Sequence, residues 1–150
     1  MATPACPCGR ADLRGKSLTF AACCGRYLDD FDQTPAPDAE SLMRSRYSAF
    51  VLGREAYLRA TWHVSHRPVD VAPDHGTQWL CLEVRRHTQM DADHAEVEFV
   101  ARYRMIGHGA SEGTTGRMAS AGPGRAVRIH ERSRFVREAG RWYYVDGDLL

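Results

Sequence analysis

Four cysteines within the first 24 residues constrain this 150-residue chain more than any other feature: Cys6 and Cys8 in Cys-Pro-Cys-Gly, Cys23 and Cys24 in Cys-Cys-Gly. A segment this short cannot bury a core of its own, so something besides apolar burial has to hold it. Residues 1–10 lack the apolar run of a signal peptide, and no stretch approaches the roughly eighteen apolar residues of a membrane span. The expected location is the cytoplasm. In that reducing compartment a clustered quartet reads as a metal site rather than a disulfide framework. Four thiolates suit the closed tetrahedral shell of structural zinc, one ion per chain. Fourteen residues separate the two pairs, enough for the loop to close. Zinc with four thiolates carries surplus negative charge. Residues 1–28 set Arg10, Arg14, Lys16 and Arg26 against Asp12 alone, a net +3 that can offset it. A vicinal redox pair at Cys23 and Cys24 is the alternative. Cys81, alone in an apolar run, is expected to be a small core residue.

Residues 29–37 carry acids without bases and two prolines, a linker pattern. Asp38 then reads as the N-cap of an amphipathic helix whose apolar face is Ala39, Leu42, Met43, Tyr47, Phe50 and Val51, with Gly53 as its C-cap. A shorter helix follows over Glu55 to Thr61. Strand patterns occupy Trp79 to Arg86, with Leu80, Leu82 and Val84 on one phase, then Ala95 to Met105, Val127 to Arg137 and Arg141 to Asp146. The last two form a hairpin turned at Glu138-Ala139-Gly140, and the glycine-rich stretch 107–124 reads as a flexible loop. Helices first and antiparallel strands after give an α+β plan, with a curved sheet wrapping the helices. The domain organisation is a zinc-binding motif at 1–28, a linker at 29–37 and a second domain at 38–150.

The cysteine spacing resembles the SEC-C zinc motif, which usually places eight residues where this chain has fourteen. Lengthening the loop costs only about 0.5 kcal/mol of closure entropy, small against the roughly 10 kcal/mol or more of structural zinc binding. Further blocks extend the likeness: Leu42-Met43-Arg44-Ser45-Arg46-Tyr47-Ser48-Ala49-Phe50, Ala60-Thr61-Trp62-His63, His130-Glu131-Arg132-Ser133-Arg134-Phe135, and Gly140-Arg141-Trp142-Tyr143-Tyr144-Val145-Asp146-Gly147. Together they resemble the YchJ family of bacterial metal-binding proteins over nearly the whole chain. That resemblance implies a cone-shaped domain like nuclear transport factor two and ketosteroid isomerase behind a SEC-C element. Folds of this kind host enzymes, binding modules and dimerisation domains alike, so fold alone does not decide function.

Glu131 is the most informative polar residue, because it shares a strand phase with Val127, Ile129 and Phe135 and therefore points into the cone. A carboxylate there is costly unless it is paired or works as an acid or base. Arg46, on the apolar side of its helix, is expected to pair with it. Arg46, Tyr47, Trp62 and Glu131 are the candidate pocket residues, with Glu131 the catalytic candidate. Trp79 can pack the core or stack a ligand, His63 and His66 have a spacing that metals use, and Asp146 could orient a base. The preferred reading is a zinc-binding adaptor or binding module. Its segment 1–28 would contact a protein or ribosome, its cone would take a small ligand, and a homodimer is compatible with the fold. The alternative is an isomerase, dehydratase or hydrolase using Glu131. A third reading, nucleic-acid binding, would use Arg10, Arg14, Arg26, Arg125, Arg128, Arg132, Arg134, Arg137 and Arg141. A net charge of +1 argues against it and against a membrane surface. The cone is expected to outlast the knob when metal is removed.

Overall fold

The computed structural model describes residues 4–69, 71, 76–106 and 124–150. The expected loop therefore lies outside the described residues except for its last member, Gly124. Three helices, α1 (Gly25–Leu28), α2 (Ala39–Leu52) and α3 (Glu55–Ala60), precede four strands, β1 (Thr77–Gln89), β2 (His94–Met105), β3 (Ala126–Glu138) and β4 (Arg141–Leu149). The strands form one antiparallel sheet in chain order. The architecture is α+β, with helices packed against a curved sheet and a cysteine knob at the N-terminal end. Among the described residues no helix is long and apolar enough to cross a membrane.

Helix α2 starts and stops where its sequence dictates. Asp38, extended at the N-cap, accepts the Ser41 amide at 2.7 Å. Gly53 ends the helix at φ 72°, a left-handed conformation that costs glycine nothing. The covered face is wider than the apolar pattern implied. Ser41, Ser45 and Ser48 are buried alongside Leu42, Met43 and Tyr47, whereas Val51 is exposed. Small hydroxyl side chains stand where the knob and α3 come close, so α2 is enclosed on several sides.

Apolar alternation sets the face of β2: Ala95, Val97, Phe99 and Ala101 are all buried under the helices. Full burial of a side chain such as Val97 or Leu58 is worth about 1.5–3 kcal/mol. The hairpin between β3 and β4 turns through Ala139 (φ 51°) and Gly140 (φ 78°), both left-handed, as a two-residue turn with matching twist requires. Three single-residue surpluses interrupt the ladders, at Leu80, at Arg85 and at Val145. The first overturns the expected phase of β1. Trp79 and Leu82 turn inward, while Leu80 and Cys81 are exposed, so Cys81 is not a core residue. A β-bulge lets two residues oppose one, and no alternation pattern reveals it.

Residues 9–22 form an ordered hairpin rather than a slack loop. Bridges pair Ala5 with Thr19 and Ala11 with Ser17. At the tip Asp12 accepts the amides of Arg14 at 2.8 Å and Lys16 at 3.0 Å, leaving Leu13 fully exposed. Residues 29–37 are packed as well: Phe31 meets the Tyr57 ring edge-on at 5.8 Å, the Arg141 guanidinium lies 4.3 Å over Phe31, and Ala36 is buried. The four cysteines share one continuous apolar cluster with Tyr27, Leu28, Leu42 and Leu58. Helix α2 thus lends a wall to the knob. Removing the Asp38 cap should cost about 1 kcal/mol. Asp38→Ala is expected to lower the urea midpoint accordingly with an unchanged denaturant slope, and a midpoint that does not move would show that the cap carries no weight.

Candidate functional site

Two clusters of functional side chains lie on opposite sides of α2. On one side, the Sγ atoms of Cys6, Cys8, Cys23 and Cys24 all lie within 4.8 Å of one another, each residue buried. Cys8 and Cys23 are 3.6 Å apart and Cys23 and Cys24 are 4.0 Å apart. A tetrahedral zinc with Zn–S bonds of about 2.3 Å places its sulfurs about 3.8 Å apart, so the quartet fits such an ion. Local folding delivers the ligands. The Cys6 carbonyl accepts the Gly9 amide at 3.1 Å, closing the Cys-Pro-Cys-Gly turn. Cys23 and Cys24 sit at the start of α1, where a Cβ on Gly25 would run into the Phe20 carbonyl at 2.7 Å.

The electrostatics agree with a cation. Hydrogen bonds from Cys24 and Cys8 hold the Cys6 thiol far below its ordinary range. Burial and the neighbouring Cys8 and Cys6 charges push Cys23 up to about 12, and bonding to Cys6 and Cys8 drives Cys24 higher still. One thiolate forms readily and opposes the rest, and a divalent ion is what would let all four ionise. The compensating base comes from outside the segment that the sequence singled out. Arg44 of α2 donates to the Cys8 carbonyl at 3.1 Å and to Glu40 at 2.9 Å. Burial alone would lower its guanidinium, yet the Glu40 bond and the Cys8 charge raise it. Ser48 places its hydroxyl 3.6 Å from Cys6 Sγ. Arg10 instead donates to Ser41 at 3.0 Å, and Arg26 to the Cys23 carbonyl at 3.1 Å.

On the other side of α2 lies a cavity of about 260 Å³. Met43, Arg46, Tyr47 and Phe50 of α2 form one wall, Trp62 and Tyr144 a second, and Trp79, Phe99 and Ile129 the sheet floor. All four expected pocket residues, Arg46, Tyr47, Trp62 and Glu131, line it. Their arrangement corrects the expected salt bridge, because among the described residues no ion pair joins Arg46 to Glu131. Both amino hydrogens of Arg46 Nη1 are spent on α3 and its C-cap, donated to the Leu58 carbonyl at 2.9 Å and Thr61 Oγ1 at 2.7 Å. The guanidinium is also stacked, 5.1 Å from the Trp62 ring and 4.6 Å from the Tyr144 ring. Burial lowers it to about 10, so it stays charged at neutral pH. Tyr144 occupies the gap between the charges. Its hydroxyl donates to Glu131 Oε2 at 3.2 Å, and Ser133 donates to the same oxygen at 2.6 Å. Burial first, and the Glu131 charge second, raise Tyr144 well above the ordinary phenol range, which keeps it a donor.

The sequence places Ser133 on the inward phase beside Glu131 without revealing it as a donor, and sequence reasoning missed Tyr144 and Gly147. The surplus residue Val145 puts Tyr144 and Gly147, three apart in the chain, on the same face of the sheet, which strict alternation would forbid. Any Cβ at Gly147 would overlap the Glu131 carboxylate. Other candidates are engaged elsewhere. Asp146 takes Arg134 at 2.6 Å, and His63 meets Glu138 at 2.8 Å and Ser65 at 2.7 Å; among the described residues neither His63 nor His66 belongs to a cluster of three or more potential metal ligands. Of the nine arginines proposed as a basic surface, Arg10 pairs with Glu40, Arg134 with Asp146 and Asp148, and Arg137 with Asp93, while Arg141 donates to the carbonyls of Phe31 and Asp32.

Residues 38–147 match the family model described as "YchJ, middle NTF2-like domain". A UPF0225 protein of Polaromonas sp. is 62% identical over 143 residues, covering 95% of this chain and 91% of that protein. The solution structure of a SEC-C motif containing protein from Rhodopseudomonas palustris superposes with a TM-score of 0.71 at 30% identity, covering 97% of this chain and 98% of the other. A crystal structure of a SEC-C motif containing protein from Psychrobacter arcticus gives 0.70 at 30% identity, covering 95% and 80%.

Two predictions arise from these geometries. Elemental analysis should find one zinc per chain, lost on Ser substitution of Cys6, Cys8, Cys23 or Cys24 and kept in Cys81→Ser. Chelation should unfold knob and cone in one transition, because they share a core, and a cone that resists protease after chelation would contradict this. The second concerns the separated charges. Arg46→Met should cost about 2–4 kcal/mol by stranding buried carbonyl and hydroxyl partners, and Glu131→Gln under about 1 kcal/mol. A double-mutant cycle between them should show coupling below about 1 kcal/mol, and stronger coupling would restore the direct pair.

Proposed function

The chain belongs to the YchJ (UPF0225) family, and on that footing we propose that it is a zinc-stabilised cytoplasmic binding protein whose cone holds a small ligand. The observation that carries this reading is the cavity of about 260 Å³, with aromatic walls and the Glu131 carboxylate and Arg46 guanidinium on its lining. Sites for small molecules combine apolar walls with a few placed polar groups in this way. Zinc has a structural role here: it closes the knob over one face of α2, while the opposite face of the same helix shapes the cavity.

An adaptor role for residues 1–28 is the second reading. It is supported by Leu13, fully exposed between Asp12 and Arg14 at the tip of the hairpin, with Lys16 beside it. Catalysis by Glu131 as acid or base, in an isomerase, dehydratase or hydrolase, would use the same cavity and is supported by the carboxylate lining it. Among the described residues Glu131 Oε2 is held by two hydroxyl donors and Arg46 by α3, an arrangement that suits recognition better than proton transfer.

The test is a titration of zinc-loaded protein with 2-naphthol, read by its fluorescence. Saturable binding of one molecule per chain is expected, abolished by Ala101→Phe, which fills the cavity from β2, with zinc content unchanged. Binding that survives Ala101→Phe would lie elsewhere and would sink the reading.

A further inference from the structure

The ligand that the cavity is built for can be described from what its polar groups lack; this step rests on the cone being a ligand site. Arg46 is 4% exposed. Among the described residues both of its hydrogen bonds are made by Nη1, and Nε and Nη2 belong to a guanidinium that lines the cavity. Among the described residues the bonds to Glu131 fall on Oε2 alone, so Oε1 accepts none. A cavity bordered by guanidinium N–H donors and a carboxylate oxygen that make no hydrogen bond among the described residues can offer one partner to each. The two charges are of opposite sign, so together they favour a neutral ligand over an ion. They are held apart by the Tyr144 ring, which stacks on Arg46 and reaches Glu131 through its hydroxyl. The ligand's acceptor and donor must therefore be spread over the edge of a ring.

Size and shape follow from the walls. An apolar cavity of about 150 Å³ holds benzene, so about 260 Å³ admits a bicyclic ring. Trp79 lines the cavity with Tyr47 edge-on to it at 5.7 Å and Phe50 tilted against it at 5.8 Å, an aromatic wall for a planar ligand. We propose that the cone binds a neutral, planar, bicyclic nitrogen heterocycle carrying a cyclic amide, its N–H donated to Glu131 Oε1 and its carbonyl accepting from Arg46.

The probes are 2-quinolone, which has both groups, 1-methyl-2-quinolone, which lacks the N–H, and naphthalene, which lacks both. Binding is read in zinc-loaded protein from the indole N–H resonances of Trp62 and Trp79, with Trp142, outside the cavity lining, as the internal control. The expected result is 2-quinolone bound at least about tenfold more tightly than either analogue, a preference lost in Glu131→Leu. If that variant fails to retain zinc and fold, the comparison between 2-quinolone and its methylated form in the unaltered protein decides alone. Equal affinity for all three probes would overturn the heterocycle assignment and leave the cone as a general apolar site. No shift of Trp62 or Trp79 with any probe, including naphthalene, would overturn the ligand-site reading itself.

Discussion

The enclosure of α2 is the constraint on which the rest depends. A fourteen-residue helix is marginal in isolation, and it owes its stability to what covers it. Here the cysteine knob covers the side bearing Ser41, Arg44 and Ser48, α3 is tied to it through Ser45 and Arg46, and the aromatic cavity lies against Tyr47 and Phe50. The helix thus has no purely solvent side over most of its length. That is why its buried set includes three serines and an arginine, residues that a surface helix would turn outward.

Polar burial of this kind is tolerable because every partner is specific. Ser45 shares a hydrogen bond of 2.8 Å with Tyr57, whose phenol burial pushes up to about 12. Arg46 is the extreme case, a cation with two hydrogen bonds to α3 and two aromatic faces around it. Stacking replaces some of the hydration it gave up. Glu131 receives the complementary treatment, two hydroxyl donors on one oxygen. The two charges stabilise one another through the intervening phenol without touching, so each keeps capacity for something else.

Much of this was legible in the sequence. The cysteine quartet, both caps of α2, the four-stranded α+β plan and the inward direction of Glu131 all follow from residue type and period, because capping, thiolate chemistry and alternation are local. The errors of strand phase share one origin. Leu80 and Cys81 face outward, and Tyr144 and Gly147 both face inward, because a surplus residue shifts the alternation. The expected Arg46–Glu131 pair failed for a different reason: Thr61 and the end of α3 compete for the same guanidinium, and only tertiary structure brings them there. The base beside the metal ligands was also misplaced, since Arg44 is near Cys8 in space but 36 residues away in the chain.

The three surplus residues carry a consequence for how such a cavity can change over time. Each bulge adds bend to its strand, and because its extra residue stands outside the ladder, the residues beyond it would keep their faces if that residue were removed. Leu80 could be lost and Trp79, Leu82 and Val84 would still point at the helices, yet β1 would straighten and the floor would move away from α2. Cavity volume is therefore encoded in chain length within strands as well as in the residues that line it. Two chains with identical linings but a different number of bulges would enclose cavities of different size, and comparing their lining residues alone would give no hint of it.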